Sequence, residues 1–212
     1  MAQKKIASNF KNIVLCLLLI AAISASVLGI VYKSTKKSIE QSKEAKKENA
    51  IKQVLPDYTR LETEKIIAPI SNDNKKTLND DILKKELKAD SITIHKAYKN
   101  EKLVGFAVET FTNKGYAGRF DLMVGFLPNG DIYQIAVLSH SETPGLGSKI
   151  ADKKFYQQFE GKNPNNFVLK VKNDGGNIDA ITAATISSRA YCDAVNKAYN
   201  TIKSMIGGEN NE

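Results

Sequence analysis

The chain has 212 residues, 42% apolar and 25% charged, with 31 basic against 23 acidic residues and a formal net charge of +8. That length holds one domain of ordinary size plus an anchor. Two cysteines, two histidines and no C-x-x-C pair exclude the ordinary zinc and iron–sulfur centres, so no metal site is expected.

The charge is unevenly placed. Residues 1–50 hold nine lysines and three glutamates, whereas residues 51–212 hold 22 basic and 20 acidic residues. The basicity is therefore juxtamembrane, where lysines meet anionic headgroups. The rest of the chain has no basic surplus of the kind nucleic acid requires.

Residues 1–12 read as a short basic tail, expected in the cytoplasm. Ile13 to Tyr32 is a run of twenty residues without a charge. A helix of about 20 such residues crosses a bilayer core. Signal-peptide cores are shorter, about 7–15 residues. Here the apolar run continues through Val27–Tyr32, past the small residues Ala22–Ser26, so an uncleaved anchor is expected. Six lysines lie from Lys33 to Lys47 and three precede the anchor. Counted alone they would hold the following domain in the cytoplasm, although long domains cross regardless of nearby charge.

Residues 33–56 read as a juxtamembrane helix that becomes amphipathic at Ala50, Ile51, Val54 and Leu55 and stops at Pro56. Residues 57–212 are expected to form one α+β domain with an antiparallel sheet and flanking helices. Residues 71–81 read as a polar loop. From Ser91 the apolar period becomes two: Ile92 and Ile94, Leu103–Phe111, Arg119–Leu127 and Ile132–Leu138 read as four strands. Asn100-Glu101, Gly115-Tyr116-Ala117-Gly118 and Pro128-Asn129-Gly130-Asp131 read as their turns. Ala151–Phe159 reads as a short helix, Phe167–Val171 as a strand and Ile186–Ile206 as the closing helix. Ile186, Ala190, Ala194, Ala198 and Ile202 fall on one face of that helix, and Gly207-Gly208 ends it.

Two segments carry candidate chemistry. Ser141-Glu142-Thr143-Pro144-Gly145-Leu146-Gly147 combines an acid, a hydroxyl and two glycines in a tight loop. Such a loop offers backbone amides to the polar edge of a flat cofactor and little cover over its face. Asp179-Ala180-Ile181-Thr182-Ala183-Ala184-Thr185 ends in a hydroxyl at the mouth of the closing helix, with Ser187 and Ser188 just after it. Free N–H groups and the positive dipole end of a helix N-terminus suit a phosphate. Taken alone, Thr185 reads as a helix N-cap.

The sequence Glu142–Gly147, followed about forty residues later by Asp179–Thr185, resembles the FMN-binding domain family. Its best-known members are the G subunit of the Rnf electron-transport complex and the C subunit of the sodium-translocating NADH:quinone reductase. The resemblance also covers the anchor Ile13–Tyr32 and the Gly115–Gly118 turn. The short length favours the Rnf G subunit. The family's attachment motif has the form D-G-x-S/T-G-A-T, so two of its glycines are replaced here by Ala180 and Ala183, where positive φ is disfavoured.

The resemblance implies a specific chemistry. Thr185 would carry FMN through a phosphoester, installed by a separate flavin transferase that uses FAD and magnesium. Asp179 and Thr182 would belong to the recognition sequence, with Ala183, Ala184 and Ser187 around the attachment point. Glu142, Thr143, Gly145, Leu146 and Gly147 would line the flavin. The chain would relay electrons in an ion-translocating ferredoxin:NAD oxidoreductase, beside other membrane and iron–sulfur subunits, with no turnover of its own. Its domain would lie on the extracytoplasmic side of the cell membrane. No G-x-G-x-x-G fingerprint for direct NAD binding is present.

Three other readings compete. One is the C subunit of the quinone reductase, and another is an anchored ligand-binding module without redox work. The third is a hydrolase using Ser139 or Ser141 with His140. Neighbouring residues on a strand point to opposite faces, and no G-x-S-x-G elbow exists, which counts against the hydrolase.

Overall fold

The computed structural model describes residues 10–67 and 91–206. The polar segment 71–81 and Gly207-Gly208 lie outside them. The chain divides into two compact units at Ala45/Lys46.

Helix α1 spans Phe10–Val54. Its first part is long and apolar enough to cross a membrane and is the one such helix among the described residues. Leu17, Leu18, Ile23 and Leu28 are exposed on it. A helix that is apolar all round suits lipid rather than a water-facing surface. In the second unit, α1 ends two residues before Pro56, which cannot continue a helix without disturbing the turn before it.

The second unit is built on a five-stranded antiparallel meander in the order β1-β2-β3-β4-β5. The strands are β1 (Arg60–Ile67), β2 (Ser91–Lys99), β3 (Lys102–Gly115), β4 (Gly118–Phe126) and β5 (Ile132–Ser139). Each turn expected from the sequence from Asn100 onward is a strand connection here. Asn100 and Glu101 both take positive φ, at 52° and 61°, the signature of a two-residue type I′ hairpin. Gly115 pairs with Gly118 across the second turn. At the third, the Gly130 N–H donates to the Leu127 carbonyl, with Gly130 at φ 88°.

β1 is not legible in the sequence. Its residues, RLETEKII, include only Leu61 as an early apolar side chain, and Leu61 is half-buried. It is an edge strand, paired only with β2, so neither burial nor alternation marks it.

Alternation along the strands makes two cores. On one face Phe106, Val108, Phe120, Leu122, Val124 and Phe126 pack with helix α3 (Thr185–Ile202) and the connecting segment between β5 and α3. On the other, Ala97, Ala107 and Met123 meet Ala50, Ile51 and Val54 from the end of α1 and Leu55 just after it. The last turn of α1 lies so close to β4 that a Cβ at Gly125 would overlap the Val54 carbonyl. That approach explains a glycine inside a central strand.

Between β5 and α3 the backbone is mostly turns. Gly147–Ala151 is a 3-10 turn, and only Lys153–Tyr156 (α2) is α-helical within the expected helix Ala151–Phe159. The expected strand Phe167–Val171 is not one. It contributes a single parallel bridge, Val171 to Ile178, and buries Leu169 and Val171 from an irregular loop. A short apolar run buries as well in a loop as in a strand, so its periodicity could not decide. α3 begins one residue earlier and ends four residues sooner than the expected Ile186–Ile206. Ala190, Ala194, Ala198 and Ile202 face the core, but Ile186 does not: it is 49% exposed.

Candidate functional site

Two of the short motifs and the first turn of α3 meet at one side chain. Glu142 is 4% exposed. Its Oε1 accepts the Ala117 N–H at 3.2 Å, from the Gly115–Gly118 turn. Its Oε2 accepts the Ser187 hydroxyl at 2.7 Å, from the first turn of α3. Gly147 packs directly on the same carboxyl group, and a Cβ there would overlap both Glu142 and the Ser187 Oγ. Glu142 therefore ties together the β3–β4 turn, its own loop and the start of α3.

The loop above it is open. The Thr143 carbonyl accepts N–H bonds from Leu146 and Ser148, and the Gly145 N–H donates to Ser148 Oγ at 2.9 Å. Gly145 sits at φ 75° with nothing near its missing Cβ. Thr143 and Gly145 are exposed, and Leu146 is 42% exposed. Three exposed apolar side chains each neighbour a Glu142 contact in sequence: Tyr116 beside Ala117, Leu146 beside Gly147 and Ile186 beside Ser187. Each of the three segments that meet at Glu142 thus carries an exposed apolar side chain, the kind of surface a flat cofactor uses.

The second motif is a turn that feeds α3. The Ala184 N–H donates to the Ile181 carbonyl at 2.9 Å, closing Ile181–Ala184. Ala183, its third residue, is at φ 60°. Thr182 and Ala183 are exposed, Ala184 is buried and Thr185 is half-buried. The Ser188 hydroxyl spans the turn from below: it accepts the Ile181 N–H at 3.0 Å and donates to the Ala184 carbonyl at 3.0 Å.

Thr185 is not the N-cap expected from the sequence. It is the first helical residue, and Ala184, with no side-chain cap bond, holds the cap position. An alanine cap leaves first-turn N–H groups without the oxygen that Ser or Thr would supply. Asp179 lies at the far end of the motif, exposed and paired with Lys172 at 2.7 Å. Its backbone is bonded on both sides by the Gln158 amide, through Asp179 N–H to Oε1 and Nε2 to the Asp179 carbonyl. Sequence reasoning missed the roles of Gln158 and Ser188. Gln158 carries no sequence signal, and Ser188 has only its place after a run of hydroxyls.

Other reactive groups are placed elsewhere. Cys192 is buried on α3, and burial pushes its thiol up to about 12. Such a thiol stays protonated and inert near neutral pH. Ser139 Oγ donates to Asp121 Oδ2 at 2.6 Å rather than to an imidazole, and His140 is exposed. No group of His, Cys, Asp and Glu suited to a metal ion occurs among the described residues.

The model of the FMN-binding domain matches residues 115–200, a range that includes Gly115–Gly118, Glu142–Gly147 and Asp179–Thr185. The G subunit of the ion-translocating oxidoreductase complex of Pasteurella multocida is 32% identical over 200 residues, covering 92% of this chain and 94% of that protein. The G subunit of the proton-translocating ferredoxin:NAD(+) oxidoreductase complex of Clostridium ljungdahlii is 35% identical over 114 residues, which cover 53% of this chain. That match spans 61% of the Clostridium protein. The C subunit of the Na(+)-translocating NADH-quinone reductase of Parabacteroides distasonis has the same fold, with a TM-score of 0.50, 15% identity, and coverage of 78% of this chain and 85% of that one.

Proposed function

This chain belongs to the family of G subunits of ion-translocating oxidoreductase complexes and carries an FMN-binding domain; from that premise we propose that it relays electrons through an FMN held covalently at Thr185. The flavin supplies the redox chemistry when bound, and the protein positions it. The chain would be one component of a ferredoxin:NAD oxidoreductase complex of the Rnf type, working beside membrane and iron–sulfur subunits and turning over no substrate alone.

One observation carries this reading: Glu142 draws the Gly115–Gly118 turn, the Thr143–Gly147 loop and the start of α3 to one point. The residues fit the group. Thr185 offers a half-buried hydroxyl at a helix start whose cap residue has no side-chain oxygen. A phosphate there would meet free N–H groups and the favourable dipole end. Leu146, Tyr116 and Ile186 would give apolar surface to the ring. Thr143, Gly145 and Gly147 shape the loop, and Glu142 and Ser187, both buried, support it from beneath. Asp179, Thr182, Ala183 and Ala184 form the segment a transferase would read.

In the attachment step, the Thr185 hydroxyl oxygen forms a new bond to the FMN phosphorus of FAD. The phosphoanhydride bond to AMP breaks, AMP leaves and the hydroxyl proton passes to solvent. No electrons are transferred. Magnesium and the base belong to the transferase. We further propose that α1 anchors the chain in the cell membrane, with residues 1–12 in the cytoplasm and the domain beyond residue 56 outside it. A flavin held there by a bond could not be lost to an environment that lacks a pool to replace it.

The deciding experiment is intact mass of the full chain made with and without the flavin transferase. A gain matching FMN, mapped to Thr185, is expected. A gain on another residue, or none with the cognate transferase, overturns the reading. A reporter fused after Glu212 tests sidedness, and activity confined to the cytoplasm would reverse it.

A further inference from the structure

We infer that Ser188 is a positioning residue for flavin attachment, holding Ala183 in a left-handed conformation so that the turn Ile181–Ala184 presents Thr185. This rests on the attachment reading above. Three observations carry it. First, Ala183 at φ 60° is the one non-glycine residue of positive φ outside the Asn100-Glu101 hairpin, among the described residues. L-residues with a Cβ resist this region, which favours glycine. Second, Ala183 is exposed, so no packing of its methyl group holds it there. Third, Ser188 is fully buried, and its hydroxyl donates to one end of this turn, Ala184 O, and accepts from the other, Ile181 N–H.

The geometry follows from these bonds. The turn is closed by Ala184 N–H to Ile181 O, and the Ser188 bonds cross it from inside the helix. Ser188 lies three residues beyond Thr185 in α3, so the same side chain fixes both the turn and the helix start. Glycine at position 183 would reach the same backbone without help. Alanine needs a restraint, and Ser188 is the group placed to give it. Strained backbone persists only where its surroundings over-determine it. Ser188 is thus the part of the site that compensates for the alanine.

The test measures the initial rate of FMN incorporation into the full chain by purified transferase, FAD and magnesium, read as mass gain and covalent fluorescence. Ser188→Ala should slow loading about tenfold or more, since small misplacements of a reacting group cost up to about a hundredfold. Ala183→Gly in the Ser188→Ala background should return the rate to within about twofold of Ala183→Gly alone, because glycine takes the turn unaided. Loss without rescue would show a general structural defect and overturn the inference, as would loading of Ser188→Ala at the wild-type rate. Ala183→Val approaches the turn from its exposed side, leaves Ser188 intact and applies even if Ser188→Ala fails to fold. It should also slow loading, because a β-branched residue is an outlier at this φ; unchanged loading would overturn the inference. Wild-type loading at a residue other than Thr185 would instead remove the attachment reading and this inference with it.

Discussion

Ser187 donates a 2.7 Å hydrogen bond to Glu142 across 45 residues of sequence, and both side chains are buried. The bond joins the loop after β5 to the first turn of α3, so two segments distant in sequence are held together. Removing the acceptor should orphan a buried hydroxyl. Glu142→Ala should therefore cost about 1–3 kcal/mol. Ser187→Ala should cost less, because Glu142 keeps the Ala117 N–H. Urea unfolding of the solubilised full chain measures both. Equal stability of Glu142→Ala and wild type would mean that the carboxyl group is not a strut.

Thr185→Ala should separate chemistry from stability. Thr185 is the first helical residue and not the cap, so no capping bond is lost. Alanine is also the better helix former. The expected change is within about 0.5 kcal/mol, while covalent flavin disappears from the intact mass. A large fall in urea midpoint would mean that the Thr185 hydroxyl supports the fold.

The strands from β2 to β5 are legible in the sequence because each carries a compact apolar run and adjoins a turn of recognisable chemistry. The residue classes of the site are legible too, since Glu142–Gly147 and Asp179–Thr185 are compact runs. Their joint is not. Nothing in the sequence says that Glu142 reaches both Ala117 and Ser187, because that depends on how the β5–α3 segment crosses the sheet. The same segment hides Leu169, Val171 and Ile178, which bury from turns with no period to betray them. The alanine at position 183 is visible as a departure from glycine, but only the backbone reveals that it still takes positive φ.

His95 gives the domain a pH dependence with a definite sign. It stands on β2, with Nδ1 2.9 Å from Thr63 Oγ1. Burial lowers its pKa, opposed by Glu109 and assisted by Lys47, which pair with each other at 2.7 Å. A histidine with a lowered folded pKa binds its proton more readily when unfolded. Stability is then full above the unfolded value of about 6.5 and falls as pH drops through the folded pKa. Urea midpoints across pH 5–8, a range that brackets an ordinary histidine at about 6.5, should show this decline in wild type and a flatter profile in His95→Gln. Identical profiles would assign the pH dependence to other groups.

Tyr191 is the clearest place where the core can be improved. It is fully buried on α3, against Phe155 and Phe159 at ring-centroid distances of 5.1 Å and Phe120 at 6.4 Å. Its hydroxyl has no hydrogen-bond partner among the described residues. Burial drives the phenol pKa well above its ordinary value, so the group stays neutral and gains nothing from charge. An unpaired buried hydroxyl costs about 1–3 kcal/mol. Tyr191→Phe keeps the ring, its edge-to-face contact with Phe155 and its tilted contacts with Phe159 and Phe120, and removes only that oxygen. Against the gain stands a small void where the oxygen was. The expected result is a net stabilisation of about 1 kcal/mol, or a rise in Tm of about 2–4 °C for a domain of this size class. Tyr191→Ala, which empties the ring position, should instead cost about 3–5 kcal/mol. Thermal unfolding of the three proteins decides the point. A Tyr191→Phe variant less stable than wild type would mean that the hydroxyl is bonded in solution, and that this aromatic cluster is held by more than packing.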